Sequence, residues 1–397
     1  MRRRPGRSRR PGKAPGLHAT ATEPPPRCLY GQPRGSVSRT TAAAALAGLL
    51  GGVLLGCGPA PEILTECADA NGIHAVCGLQ NPEDLALLPD GRTVILSQFG
   101  LMDGSRPGNL AFFDLESEAV RIAYTGAPGP ADQPEAQWGD PECPGPPTPA
   151  ISPHGIDLAE RPDGRLQLLV VNHLGRESIE VFEARDGSEG PELVWRGCVI
   201  PPPNSYLNDI VHLPDDGFLA THMMPRDGEL LGMLRGSLGF DTGHVLEWRP
   251  AGGWRPLPGT EAPFPNGIEL AADGRSVYLN AYMAGEVRRI DRSTGALLGK
   301  AKVPSPDNSS WGRDGRLLVA SHRGGFRDQT ACYGLVAGAC PMGFEIVALD
   351  PETLEAETLF AHAGAPMGAG TIALDLGSEL VIGSFAADRL IRVPRER

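Results

Sequence analysis

PNGIELAADGRSVYLNAYMAGEVRRID, residues 265–291, holds the pattern that decides the fold. Asp273-Gly274 separates two β-rich runs, and a tight hairpin there needs the positive φ that glycine adopts at no steric cost. NGIELA precedes the turn, and SVYLNAY and GEVRRID follow it, so one short stretch supplies three neighbouring strands. The same unit returns as PDGRTVILSQ at 89–98, PDGRLQLLVVNH at 162–173, PDDGFLATH at 214–222, RDGRLLVASH at 313–322 and, more weakly, LGSELVIGSF at 376–385. Its marker glycines are Gly91, Gly164, Gly217, Gly274, Gly315 and Gly377, about 57 residues apart on average. A four-stranded propeller blade takes roughly 40–50 residues, and the excess goes into loops. Six copies predict an all-β fold, a six-bladed β-propeller over residues 67–397. A β-sandwich has no reason to repeat one unit six times, and no stretch of helical periodicity rivals the strand signal.

The chain has 397 residues, 41% of them hydrophobic and 21% charged, with 52 glycines and 39 prolines, which suits a folded, turn-rich domain. Residues 1–56 contain ten of the 36 basic residues but only Glu23 among the 48 acidic ones, which leaves a net charge of −21 on Cys57–Arg397. That field repels nucleic acid and attracts divalent cations. The segment at 126–150 is too rich in proline and glycine for regular structure and reads as a loop.

The N-terminal end reads as an address. Residues 1–38, with six arginines in the first ten positions, form a basic extension with nothing to bury, expected to be disordered and to arise from a start codon chosen too far upstream. Residues 39–56 carry the apolar run AAAALAGLLGGVLLG at 42–56, too short to span a bilayer and suited to a signal-peptide core. Leu54-Leu55-Gly56-Cys57 resembles the bacterial lipobox, with Cys57 as the lipidated residue. Gly58 in place of aspartate lacks the inner-membrane retention signal. The expectation is an exported lipoprotein on the outer membrane, facing the periplasm or the cell surface, with residues 57–66 as a linker.

In an oxidising compartment the six cysteines Cys67, Cys77, Cys143, Cys198, Cys332 and Cys340 are disulfide candidates with fifteen possible pairings. Cys67–Cys77 and Cys332–Cys340 would close short loops and leave Cys143 with Cys198. No spacing among them resembles a zinc site.

The segments before the hairpins should be innermost strands around the propeller axis, yet they carry Glu83-Asp84, His154, Asn208-Asp209, Asn266 and Asp307-Asn308. Singly, each is an ordinary turn or rim residue. At corresponding positions of consecutive repeats they would converge, and buried carboxylates without a cation repel one another. Oxygen donors from Glu, Asp and Asn suit Ca²⁺ better than Zn²⁺. His154 and His173 flank the second hairpin and matter beside such an ion.

These residues resemble the paraoxonase/arylesterase family of calcium-dependent lactonases. NPEDLALLPDG, HGIDL, LLVVNH, YLNDIV, PNGIEL and PDNSS occur in the family's order and span nearly all of the exported chain. The resemblance implies a six-bladed propeller with two calcium ions in its tunnel. It assigns Glu83, Asn208, Asn266, Asp307 and Asn308 to a catalytic calcium, and Asp84, Asp209 and the backbone carbonyl of Ile156 to a structural one. It makes His154 and His173 a dyad that deprotonates water, with Asp307 as rival base, and places His322 near the active site. The substrate it implies is a small lactone or ester. The chain departs from the family in ending RVPRER without the C-terminal cysteine, in Ser321 where the family has a cysteine, and in its 126–150 loop. Regucalcin/gluconolactonase propellers are similar at NGIELAADG and lack the histidine pair. Two further readings are therefore a sugar lactonase and a non-catalytic binding propeller on the membrane. No G-x-S-x-G motif supports a serine esterase.

Overall fold

In a computed structural model, residues 61–126 and 137–395 are described. The basic extension, the signal sequence, Cys57 and part of the 126–150 loop lie outside them. Twenty-four strands form six four-stranded antiparallel sheets, the expected six blades. The innermost strands are Pro82–Leu87, Pro153–Glu160, Leu207–His212, Pro265–Leu270, Pro306–Trp311 and Gly370–Asp375. All six marker glycines have φ between 68° and 95°, the left-handed geometry from which the repeat was recognised.

Ring closure joins the two ends of the described chain. His74–Cys77 forms the outer strand of the last blade and pairs with Arg389–Arg392. Arg389 is fully buried beneath this strand, and its guanidinium donates to the carbonyls of Leu64, Glu66 and Pro366. Strand pairing and buried polar contacts thus close the ring. The disulfides are Cys67–Cys77, Cys143–Cys198 and Cys332–Cys340. The second ties the irregular 137–150 segment to the outer strand of blade two.

Neighbouring blades pack through apolar side chains. Ile95, Leu110 and Phe112 of blade one meet Ile156, Leu168 and Val170 of blade two, and each such burial stabilises by roughly 1.5–3 kcal/mol. Two short helices, α1 (Glu229–Ser237) and α2 (Phe326–Tyr333), interrupt blades three and five. Strand periodicity gave no sign of them. Each is short and has glycine at its N-cap, Gly228 and Gly325, so neither opens on the Ser, Thr, Asp or Asn that signals a helix start, although Asp328 accepts from Gly325 N in α2.

One irregularity positions the site. Every innermost strand has a register shift against its neighbour just after its first residue: Pro82/Asp84, Pro153/Ile156, Leu207/Ile210, Pro265/Ile268, Pro306/Ser309 and Gly370/Ile372. A bulge re-aims the residues within it. The bulged residues are Glu83, His154-Gly155, Asn208-Asp209, Asn266-Gly267, Asp307-Asn308 and Thr371, which take in every out-of-place polar residue of the sequence except Asp84 and add one threonine and two glycines. Packing at the axis is tight. A Cβ on Gly155 would lie 2.5 Å from Asp209 Oδ1, and one on Gly267 would lie 2.4 Å from the Asp307 carbonyl oxygen.

Candidate active site

Glu83, Asn208, Asn266, Asp307 and Asn308 are all buried and meet where the innermost strands begin. Asn308 Nδ2 donates to Glu83 Oε1 at 2.7 Å. Glu83 Oε2 and the Oδ1 atoms of Asn208, Asn266 and Asn308 are buried with no hydrogen-bond partner. Four orphaned oxygens in one place are costly unless a cation satisfies them. Among the described residues no three His, Cys, Asp or Glu side chains gather as a metal-binding group. The donors here are instead mostly amides, and an oxygen-only set with few charges fits a large hard ion such as Ca²⁺.

A second tier lies one residue along two of these strands. Asp84 Oδ1 accepts from Leu85 N at 2.8 Å and Oδ2 from Ile156 N at 2.7 Å, while Asp209 accepts from Ile210 N and Ile268 N, both at 2.8 Å. Each aspartate therefore joins its own strand to the next blade. Burial raises the pKa of Glu83, Asp84, Asp209 and Asp307, and neighbouring carboxylates add to it. Asp84 and Asp307 are each pushed up to about 7.

The two histidines meet beside the ring. His154 Nδ1 lies 2.8 Å from His173 Nε2, and His154 Nε2 lies 3.4 Å from Asn208 Nδ2 and 3.7 Å from Glu83 Oε1. Phe99 packs edge-on against His154 with ring centroids 5.0 Å apart, and Tyr206 packs on His173 at 5.2 Å. Burial, then the neighbouring His173, lowers the pKa of His154, so its imidazole is neutral at pH 7. His322 Nε2 lies 3.3 Å from Asp307 Oδ2 without hydrogen-bond alignment, and its Nδ1 is 3.0 Å from the Tyr282 hydroxyl.

A cavity of about 200 Å³ opens onto His154, the ring and His322, and Met102, Met223, Met224, Met233, Phe264 and Phe385 line its apolar wall. No lysine, arginine, serine or cysteine among the described residues lines it. A larger cavity of about 950 Å³ lies at the other end of the innermost strands, lined by Asp157, His212, Glu269 and Trp311. It contains neither the histidine pair nor the orphaned oxygens, so the smaller cavity carries the chemistry. Glu83, His154, Asn208, Asn266, Asp307 and His322 line the smaller cavity, Asn308 and His173 contact Glu83 and His154 behind its wall, and Asp84 and Asp209 do not line it. Ile156 contributes its N–H to Asp84. Thr371, whose hydroxyl donates to the Glu83 carbonyl at 2.6 Å, completes the sixth blade and carried no charge or amide to mark it. Glu177 and the aromatic walls also gave no sequence signal.

Among known proteins, the Arylesterase family matches residues 67–390. The chain is 25% identical over 338 residues to serum paraoxonase/arylesterase 1 of Rattus norvegicus, covering 82% of this chain and 87% of that protein. Identity to the Mus musculus counterpart is 24% over the same length and coverage. Of solved structures, a gluconolactonase from Xanthomonas campestris overlays with a TM-score of 0.49 at 15% identity, covering 86% of this chain and 99% of that one. Regucalcin, a calcium-binding protein from Agrobacterium tumefaciens, gives 0.47 at 14%, covering 84% and 94%.

Proposed function

The chain belongs to the arylesterase family, and on that premise we propose that it hydrolyses small neutral lactones and aryl esters, with Ca²⁺ at the Glu83–Asn208–Asn266–Asp307–Asn308 ring and His154 as the base. The observation that carries this reading is the set of four orphaned oxygens beside His154 Nε2. A second ion would rest on Asp84, Asp209 and the Ile156 carbonyl.

Calcium bound at the ring supplies the positive charge that polarises an ester carbonyl and stabilises negative charge developing on its oxygen. The chain's own part is proton transfer and orientation. Among the described residues no serine or cysteine lines the cavity, and water is the nucleophile: its oxygen bonds to the carbonyl carbon while His154 Nε2 accepts its proton, and the acyl C–O bond then breaks with that proton passing to the leaving alkoxide. Such help contributes about 10² to 10⁴ in rate. His173 holds the His154 ring through the 2.8 Å contact, and Phe99 limits its rotation. Asp307 is the rival base, held close to the ring and to His322.

The methionine- and phenylalanine-rich part of the wall favours apolar acyl groups and alkyl-substituted lactone rings. Glu229 at the rim and the lack of lining cations disfavour anionic substrates. A panel of phenyl acetate, γ- and δ-alkyl lactones and glucono-δ-lactone tests this. The first two classes should be cleaved fastest. Preferred turnover of glucono-δ-lactone would favour the sugar-lactonase reading, and no turnover of any by a calcium-loaded protein would favour the binding-module reading.

The carboxylate cluster also sets a pH dependence. A folded-state pKa of about 7 for Asp84 and Asp307 lies above the unfolded value near 4, so between those limits the folded state binds more protons. In chelator, stability should therefore fall as pH rises from about 4 to about 7, and added calcium should stabilise most at the upper end. Thermal melts at pH 5 and pH 8, with chelator and with calcium, check this. A chelator-treated protein more stable at pH 8 than at pH 5 would contradict it. The lipid anchor on Cys57 and an outer-membrane location belong to the same proposal and are tested by the mass of the mature N-terminus; the three disulfides agree with export to an oxidising compartment and say nothing of the anchor.

A further inference from the structure

Glu177 lies in the turn between the second and third strands of blade two, outside both proposed ligand sets and without a part in the reaction described so far. Its side chain is 12% exposed and fully engaged. Oε1 accepts from Leu207 N at 2.7 Å, at the start of the innermost strand of blade three. Oε2 lies 3.0 Å from His173 Nδ1 and also receives the Arg226 guanidinium at 2.5 Å. Arg226 is in turn held over the Tyr206 ring, 4.7 Å from its centroid, and Tyr206 packs on His173.

An ionised carboxylate only accepts hydrogen bonds, so the proton of the Glu177–His173 contact sits on His173 Nδ1. An imidazole that carries its one hydrogen on Nδ1 has its lone pair on Nε2. The 2.8 Å contact must therefore take its proton from His154 Nδ1, which leaves the lone pair of His154 on Nε2, facing Asn208 Nδ2 and the cavity. With the chain of protons reversed, His154 Nε2 would carry a hydrogen and could accept none. We infer that Glu177 is a positioning residue for hydrolysis, fixing through His173 the tautomer in which His154 Nε2 is the base. The inference rests on the reading of His154 as base. A carboxylate at this end also stabilises positive charge on the imidazole pair once His154 is protonated.

Glu177→Gln is the sharpest test because it keeps the shape and inverts the logic. The Leu207 N–H requires an oxygen acceptor, which turns the amide NH₂ toward His173 Nδ1, releases the Arg226 guanidinium from that atom and selects the opposite tautomer in both rings. In the calcium-loaded exported protein, long-range ¹H–¹⁵N spectra of the imidazoles should show His173 protonated at Nδ1 in the parent and at Nε2 in the variant. For phenyl acetate, kcat should fall by about 10²-fold, within the range of general-base effects, with KM changed less than twofold. Should the variant fail to fold, the parent spectrum alone decides, since His173 protonated at Nε2 there overturns the proposal. A spectrum unchanged by the substitution overturns it as well. A switched tautomer with unchanged kcat removes the catalytic consequence, and His154→Gln then separates the causes: full activity removes His154 as base, whereas low activity removes Glu177 alone.

Discussion

Asp84→Ala should lower the melting temperature by about 10 °C or more, or abolish soluble expression. Its carboxylate is the acceptor for two N–H groups, Leu85 N in blade one and Ile156 N in blade two, in a part of the tunnel that water does not reach. Each orphaned donor costs about 1–3 kcal/mol, and in a domain of about 330 residues each kcal/mol moves the midpoint by roughly 1–2 °C. The proposed structural ion would lose a ligand as well, and with it stabilisation that comes from binding only the native state. Asp84→Asn restores one acceptor but not the charge and should fall between. Melts of both variants with and without calcium measure this, and a midpoint for Asp84→Ala within 2 °C of the parent would refute the assignment.

Asp307→Ala should do the opposite, leaving a folded protein whose turnover is at least about 10²-fold lower. Among the described residues Asp307 has no lysine or arginine partner, and the histidine beside it, His322, is held neutral by burial that lowers its pKa to about 4. Without calcium the Asp307 carboxylate is a liability to the fold, because its charge raises the pKa of Glu83. In chelator the variant should therefore be at least as stable as the parent, while calcium binding weakens. His154→Gln should fold and bind calcium yet lose much of the rate, within the 10² to 10⁴ typical of a general base. If Asp307→Ala unfolded while Asp84→Ala did not, the two ion sites would have been exchanged. If His154→Gln kept full activity, Asp307 would become the base.

Blade number was legible because each hairpin needs a positive φ, and the glycines that supply it are visible as letters. The ring residues were legible for a related reason. Charged and amide side chains in strands that should be apolar stand out, and a repeat of about 57 residues brings them to one axis. What the letters hide is the bulge, a matter of register between strands. It turns Glu83 to the upper tier and leaves its neighbour Asp84 below. Thr371 fills the sixth position with a hydroxyl that reads as any strand threonine. The closing strand His74–Cys77 has no turn joining it to its partner and pairs with residues more than 300 positions away, beyond the reach of local patterning. Glu177 reaches His173 across a turn, four positions on, where a charged residue ordinarily faces water.

The most direct test of calcium-dependent hydrolysis is turnover of phenyl acetate and a δ-lactone by one preparation, assayed as purified, after chelation at pH 8, and after calcium is restored. Activity should vanish with the metal and return with it, in parallel with the melting temperature. Hydrolysis that persists in the chelated protein, its metal content checked on the same sample, would contradict the account.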